Sequence, residues 1–244
     1  MTVDSTPGVV LKGFDIGESD VVVELYTVRW GRVHAVAKGG RRSKRRFVNK
    51  LEPFSYLRLL LAGRERGLMR LQEADIIRPF FHLTEDLRRI FYAFHALELV
   101  RVMTPLWDPH PEVMGLLVRF LSFVDEGGAR EEHLRLLELR LLSLMGYRPR
   151  FDRCLACGAR LDGGGTFLFA KGGVVCGDCR GAEAEGVALS GETLRVLGQA
   201  LRGRVATPFA PLVLEESRRL LPAFVQYQTG RELKTLKVME EVGL

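Results

Sequence analysis

Nowhere in the 244 residues does an apolar run reach the ~18 residues that a membrane-spanning helix needs, and charges interrupt the most apolar stretches, as Arg58 and Arg64 do between Leu57 and Leu68. The opening residues carry Asp4 and Pro7 where a secretory signal would have a basic start and an apolar core. A cytoplasmic location is therefore expected. The phosphate loop G-x-x-x-x-G-K-[ST] is missing, and the segment from Gly39 to Lys44 does not substitute for it. No G-x-G-x-x-G follows a strand and opens a helix. Nucleotide hydrolysis and a dinucleotide cofactor are accordingly not expected. Histidine is sparse and scattered (His34, His82, His95, His110, His133) and forms no pair with a Cys or Ser nucleophile. The acidic pairs Glu131-Glu132 and Glu215-Glu216 read as first-turn residues that favour a helix dipole. No catalytic constellation emerges, and the chain is expected not to be an enzyme.

What is present is the composition of an ordinary globular protein, 47% hydrophobic and 27% charged, which excludes long disorder and coiled coil. The net charge of +6 is unevenly placed. Residues 1–80 hold 15 Lys/Arg and 9 Asp/Glu, whereas residues 81–244 hold 21 of each. The excess peaks in one run, Lys38, Arg41, Arg42, Lys44, Arg45 and Arg46, which points to a polyanionic partner.

The chain is expected to be an α+β multidomain protein. Residues 1–80 read as short β-branched strands (Val9–Leu11, Val21–Tyr26, Val33–Ala37, Phe54–Leu61, Glu73–Ile77) separated by glycine-containing turns. That is the size and texture of a five-stranded oligonucleotide-binding barrel, an OB-fold, although an SH3-like barrel would read much the same. From Thr84, an expected N-cap, the apolar period becomes helical. Helices are predicted from there to Thr104, from Pro111 to Gly127, from Arg130 to Gly146, from Ser190 to Leu201 and from Leu214 to Gly230, the last kinked or divided at Pro222. The expected division is a barrel at 1–80, helical segments at 81–150 and 183–244, and a cysteine module at 151–182.

All four cysteines fall in that module, as Cys154-x2-Cys157, eighteen intervening residues, then Cys176-x2-Cys179. The spacing is that of a four-thiolate zinc site, with Gly158 and Gly177 in the tight turns and a hairpin between the knuckles. Four thiolates close the coordination shell, so the zinc is expected to be structural and to replace the core that fewer than ~40 residues cannot build. A disulfide pairing is the competing account.

The basic run starts where a strand ends. It reads as a solvated loop, a nuclear-localisation signal or a phosphate-contacting turn in which Gly39-Gly40 permits close approach and Trp30, Phe47 or Phe54 offers a base-stacking face. Its coincidence with the expected barrel favours the last of these.

Several segments together resemble the RecO family of bacterial recombination mediators. They are Val9 to Lys12, Gly17 to Asp20, Thr27, Gly31 and Val36 to Ser43, then Leu51 to Phe54, Gly146 to Pro149, Glu216 to Leu220 and Gly230 to Lys234. The resemblance spans nearly the whole chain. It implies an N-terminal OB-fold barrel and a helical domain with a zinc-binding insertion. It also implies a DNA repair function: binding of single- and double-stranded DNA, annealing of complementary strands and, with the partner RecR, assistance to RecA loading on DNA covered by single-strand-binding protein. On this resemblance Lys38, Arg41, Arg42, Lys44, Arg45 and Arg46 match the DNA-contacting region, and Cys154, Cys157, Cys176 and Cys179 match the metal ligands. Two other classes compete. An NAD-dependent deacetylase with a structural zinc requires a glycine-rich nucleotide loop and a parallel α/β pattern, and an interaction module with a zinc site requires no annealing activity.

Overall fold

The computed structural model of the chain describes residues 2–64, 66–181, 186–204 and 207–244. It contains two compact units, Met1–Ala129 with Thr235–Leu244, and Arg130–Lys234.

In the first unit β1 (Thr2–Ile16), β2 (Asp20–Thr27), β3 (Gly31–Ala37), β4 (Tyr56–Gly63) and β5 (Met69–Arg78) form a closed barrel in the order β1-β2-β3-β5-β4. All ladders are antiparallel except β3–β5, where Ala35 faces Met69 and Val36 faces Arg70. This is the oligonucleotide-binding barrel rather than the SH3-like alternative. The period-2 rule explains the core: Val33, Ala35 and Ala37 on β3 are buried while Arg32, His34 and Val36 between them are half-buried. With Val23, Leu25, Leu57, Leu59, Leu61 and Leu71 they fill the barrel interior.

β1 is far longer than its Val9–Leu11 centre. Its first half pairs with β4 and its second with β2, with a bulge between Val10 and Lys12 where the partner changes. From Lys12 to Glu18 every residue is exposed, so the β1–β2 hairpin projects beyond the barrel.

Helices α1 (Leu87–Met103) and α2 (Pro111–Asp125), with the C-terminal segment Thr235–Leu244, complete this unit. The N-cap of α1 is Asp86 and not Thr84. The Asp86 carboxylate accepts the Arg89 N–H at 3.0 Å, a bond the shorter Thr84, three residues outside the helix, does not make. Segment 104–110 lies tightly on β3. A Cβ at Gly31 would come within 2.2 Å of the Asp108 carbonyl oxygen, and φ of +64° independently favours glycine there.

A buried ion cluster joins α1 to the barrel. Glu24 on β2 is fully buried and receives Arg32 Nη1 at 2.9 Å and Arg101 Nε, from α1, at 2.8 Å. Burial opposes its ionisation, but the Arg32 hydrogen bond and the Arg101 charge outweigh that and hold the carboxyl below its ordinary value of 4.5. Glu24→Ala is expected to cost about 3 kcal/mol in chemical denaturation at pH 7, because it leaves Arg32 largely buried without its counter-charge. Since the folded-state pKa is depressed, this contribution is fully present above the ordinary value and is lost as pH falls through the folded value. The difference between parent and variant is therefore expected to shrink in denaturation curves taken below about pH 4.5.

The second unit holds α3 (Glu131–Leu144), a three-stranded sheet and two further helices. β6 (Gly165–Leu168) and β7 (Gly173–Val175) form the hairpin expected between the cysteine pairs. A third strand, β8 (Gly186–Leu189), pairs with the other edge of β6, so the cysteine-bearing sheet extends beyond residue 182. α4 (Gly191–Leu201) is capped by Ser190 as expected. α5 (Pro211–Thr229) runs as one helix through Pro222. Pro222 removes one intrahelical donor, but buried Leu220, Leu221, Phe224 and Val225 around it pack the helix on both sides of the gap. Because α5 begins at Pro211, Glu215 and Glu216 lie in its second turn and not its first. Buried Glu216 accepts both the backbone N–H and the hydroxyl of Ser190 at 2.9 Å, tying α5 to the start of α4. The last helix, α6 (Lys234–Glu241), belongs to the first unit from Thr235 on and has no counterpart in the sequence-based expectation. Its Thr235 donates N–H and hydroxyl to Glu98 of α1 at 2.9 and 2.5 Å, and lies 2.7 Å from His95 Nδ1.

Candidate nucleic-acid interface and metal cluster

The six cations of the basic run sit at the start of the loop between β3 and β4. Gly39, with φ of +65°, turns the chain out of β3, and Gly40 and Arg41 donate to the Ala37 and Ser19 carbonyls at 3.1 and 3.0 Å. Residues 41–46 then stand in solvent apart from half-buried Ser43, and Phe47 returns to the core. The Ser43 hydroxyl accepts the Phe47 N–H at 3.1 Å and closes the turn.

All six side chains are exposed, but they fall into three groups. Lys38, Arg41 and Arg42 face the tip of the β1–β2 hairpin, pairing with Asp20 at 2.6 Å, Asp15 at 3.7 Å and Glu18 at 3.3 Å. The Lys38 hydrogen bond, helped by the Gly39 N–H, holds Asp20 below the usual carboxylate range. Arg46 folds back, donating to the Gln72 and Lys38 carbonyls at 3.5 and 3.3 Å with its guanidinium 5.0 Å from the centre of the Phe47 ring. Lys44 and Arg45 extend outward with no carboxylate partner among the described residues. The loop thus presents a cationic ridge of the kind that neutralises phosphates.

The aromatic residues expected to offer a base-stacking face are buried. Trp30, Phe47 and Phe54 are only 8%, 3% and 8% exposed. Trp30 and Phe47 belong to the barrel core, and Phe54 packs edge-on against Phe94 of α1 at 4.6 Å. Phe47 and Phe54 anchor the loop so that its cations can project, whereas Trp30 lies in the β2–β3 turn at the other end of β3. Missed in the sequence were Lys12 and Phe14 on the projecting part of β1, where the ammonium lies 4.6 Å from the centre of the ring and Phe14 is 39% exposed. Both line a groove of about 970 Å³ that Arg41, Val48 and Asn49 also border. The signal was available: an exposed aromatic beside a lysine just past the Val9–Leu11 core of the strand.

In the second unit the four cysteine sulfurs all lie within 4.8 Å of one another. Cys154 and Cys157 form one knuckle, closed by Gly158 N–H donating to the Cys154 carbonyl at 2.9 Å, with Gly158 at φ +75°. Cys176 and Cys179 follow directly on β7 in a single 3-10 turn. Leu155 N–H donates to the Val174 carbonyl at 2.9 Å and brings the knuckles together. Tetrahedral zinc–thiolate bonds of ~2.3 Å place sulfurs about 3.8 Å apart, and Cys157 and Cys176 are 3.8 Å apart. The backbone N–H groups of Cys157 and Cys176 bring the Cys154 thiol down to about 6. Hydrogen bonding to Cys157 and Cys176 pushes Cys179 up to about 12. A set of sulfurs this close supports several thiolates only with a cation among them, and the donor set fits a closed metal site.

Beneath the knuckles, Phe167 is fully buried and meets Phe151 at 5.8 Å and Phe224 of α5 at 4.9 Å. The module therefore does not depend on metal alone for a core, contrary to the expectation for a short independent segment. It shares an apolar centre with α5.

No helix among the described residues is long and apolar enough to cross a membrane. The recombination protein O N-terminal family model matches residues 1–80, and the recombination protein O C-terminal model matches residues 84–237. The chain is similar to the DNA repair protein RecO of Myxococcus xanthus, at 38% identity over 96% of each chain. It is also similar to DNA repair protein RecO of Anaeromyxobacter sp. strain Fw109-5, at 37% identity over 97% of this chain and 95% of the relative, and of Geobacter sulfurreducens, at 36% over 96% of each. With both family regions in order on the barrel and the helices, and relatives aligned from end to end, the chain belongs to the RecO family.

Proposed function

We propose that this protein acts in DNA repair as a recombination mediator that binds DNA through the β3–β4 loop of its barrel. Lys38, Arg41, Arg42, Lys44, Arg45 and Arg46 contact phosphates of single- and double-stranded DNA, and the protein anneals complementary strands. With RecR it assists RecA loading onto DNA covered by single-strand-binding protein. The observation that carries this reading is the placement of the chain's entire charge excess on residues 1–80, concentrated on one projecting loop of an oligonucleotide-binding barrel. Two complementary strands repel each other, and a cationic ridge that neutralises phosphates lowers that barrier without breaking a bond. In this reading residues 1–80 are the DNA-binding module, and Cys154, Cys157, Cys176 and Cys179 hold a structural zinc. When bound, the ion supplies a rigid cross-link between the two knuckles.

The deacetylase alternative has no fold-level support. The described strands form a mostly antiparallel barrel and a small antiparallel sheet, not the parallel layer that a dinucleotide crevice requires.

Mixing two complementary labelled oligonucleotides tests the function directly. The protein is expected to accelerate annealing at 50 mM salt on bare strands and on strands covered by single-strand-binding protein, and the acceleration is expected to collapse by 0.5 M salt as phosphate contacts are screened. Annealing at the uncatalysed rate under all conditions would refute the mediator role.

A further inference from the structure

Three of the six loop cations are already paired, and all three partners come from one place. Asp15, Glu18 and Asp20 lie within six residues at the β1–β2 tip, and they face Arg41, Arg42 and Lys38 respectively. Strand register makes this inevitable, since Val21 on β2 pairs with Ala37 on β3 and so sets Asp20 beside Lys38. Two backbone N–H bonds then fix the tip to the loop, Arg41 to the Ser19 carbonyl at 3.0 Å and Gly39 to an Asp20 carboxylate oxygen at 2.9 Å. Asp20 belongs to that framework. Asp15 and Glu18 do not: their side chains are 59% and 90% exposed, and each meets only the end of an arginine.

The geometry points to Asp15 and Glu18 as a built-in competitor for DNA, two carboxylates that occupy Arg41 and Arg42 and must yield them before a phosphate can bind. The inference rests on the DNA-binding reading of the loop. A carboxylate tethered to its arginine acts at millimolar effective concentration, comparable to a weak free anion at high dose. An isolated anion competes poorly against it, whereas a polynucleotide offers several phosphates at once and displaces both. The tip thereby trades affinity for reversibility. Each displaced carboxylate also recovers a counterion as the DNA loses one, so the observed salt dependence of the parent understates the number of phosphates contacted.

The test compares the full chain with Asp15→Asn/Glu18→Gln, and with a control pair, Asp108→Asn/Glu112→Gln, that removes the same charge near Gly31, at the end of β3 opposite the loop. Binding of a labelled single-stranded oligonucleotide is titrated from 50 mM to 300 mM salt. The tip variant is expected to bind about 3- to 10-fold more tightly at 50 mM, with log K against log salt steeper by about 1, as two arginines meet phosphate without freeing a carboxylate. The control is expected to gain less than twofold, with an unchanged slope. Equal gains in both variants, or an unchanged slope in the tip variant, would overturn the competitor role while leaving DNA binding by the loop intact. A parent chain that binds no DNA would overturn both.

Discussion

Replacing Arg41, Arg42, Lys44 and Arg45 together with alanine is expected to weaken DNA binding by about 10²- to 10³-fold at 0.1 M salt. The magnitude follows from counterion release. Each phosphate contact on a single strand contributes about 0.7 to the slope of log K against log salt, and the carboxylates displaced from Arg41 and Arg42 take back about 1 in all, so the four contacts carry about two decades between 1 M salt, where the term vanishes, and 0.1 M. Six contacts would give a slope of about −4. Arg46 is turned back onto the Gln72 and Lys38 carbonyls, and the displaced Asp15 and Glu18 carboxylates recover counterions, so the expected slope of the parent falls to between about −2 and −3. The variant's slope is expected to be shallower by about 2, because the contributions of Arg41 and Arg42 are partly offset by their carboxylates. Phosphates carry no sequence information, so the loss should be the same on oligonucleotides of different sequence. Folding should survive, because Phe47 and Leu51 hold the loop in the barrel core and none of the four cations is buried. A fluorescence-anisotropy titration reads both quantities. Retained affinity, or a loss confined to certain sequences, would place the phosphate contacts elsewhere on the barrel.

How far this site was legible from sequence depends on which interactions define each part. The cysteine cluster was fully legible because a C-x2-C knuckle is a local object: two sulfurs and the turn between them are set by four consecutive residues, and Gly158 supplies the positive φ that such a turn needs. The barrel's central strands were legible from β-branched runs, but β1 was read as three residues instead of fifteen. Pro7, Gly8 and Gly13 interrupt its local pattern, and its length exists only because two different strands share it end to end. Trp30, Phe47 and Phe54 were misassigned for a related reason. Aromatic residues among cations look like a stacking face until the loop is seen to return into the core, where burying each ring outweighs any role at the surface. The pairing of Asp15, Glu18 and Asp20 with the loop cations was hidden in the same way, since it depends on the β2–β3 register and not on nearness in sequence. Helix α6 is the extreme case. It is short, buries only Met239, and is held through Thr235 to side chains on α1 more than 130 residues earlier in the chain, so nothing in its own pattern announces it.

Cys176→Ser is expected to reduce bound zinc from an equimolar amount to below about a tenth of that, since the closed site loses one of four thiolates and its binding free energy of ~10 kcal/mol or more is strongly ligand-dependent. How much of the fold goes with the metal is the more informative measurement. A module that depended on zinc for its core would unfold outright. Here the sheet rests on Phe167, which is buried against Phe151 and Phe224, and those contacts need no ion. Amide protection is therefore expected to vanish at the knuckles, residues 153–159 and 176–180, while β6, β7 and α5 keep theirs at neutral pH and moderate temperature. A chelator applied to the parent should reproduce the same map. The DNA salt slope should not move in either case, because every loop cation and every partner identified for it lies in the first unit. Zinc retained in Cys176→Ser would contradict the four-thiolate site, loss of protection throughout α5 would restore a core-forming role for the metal, and a changed slope would make the ion part of the DNA-binding machinery.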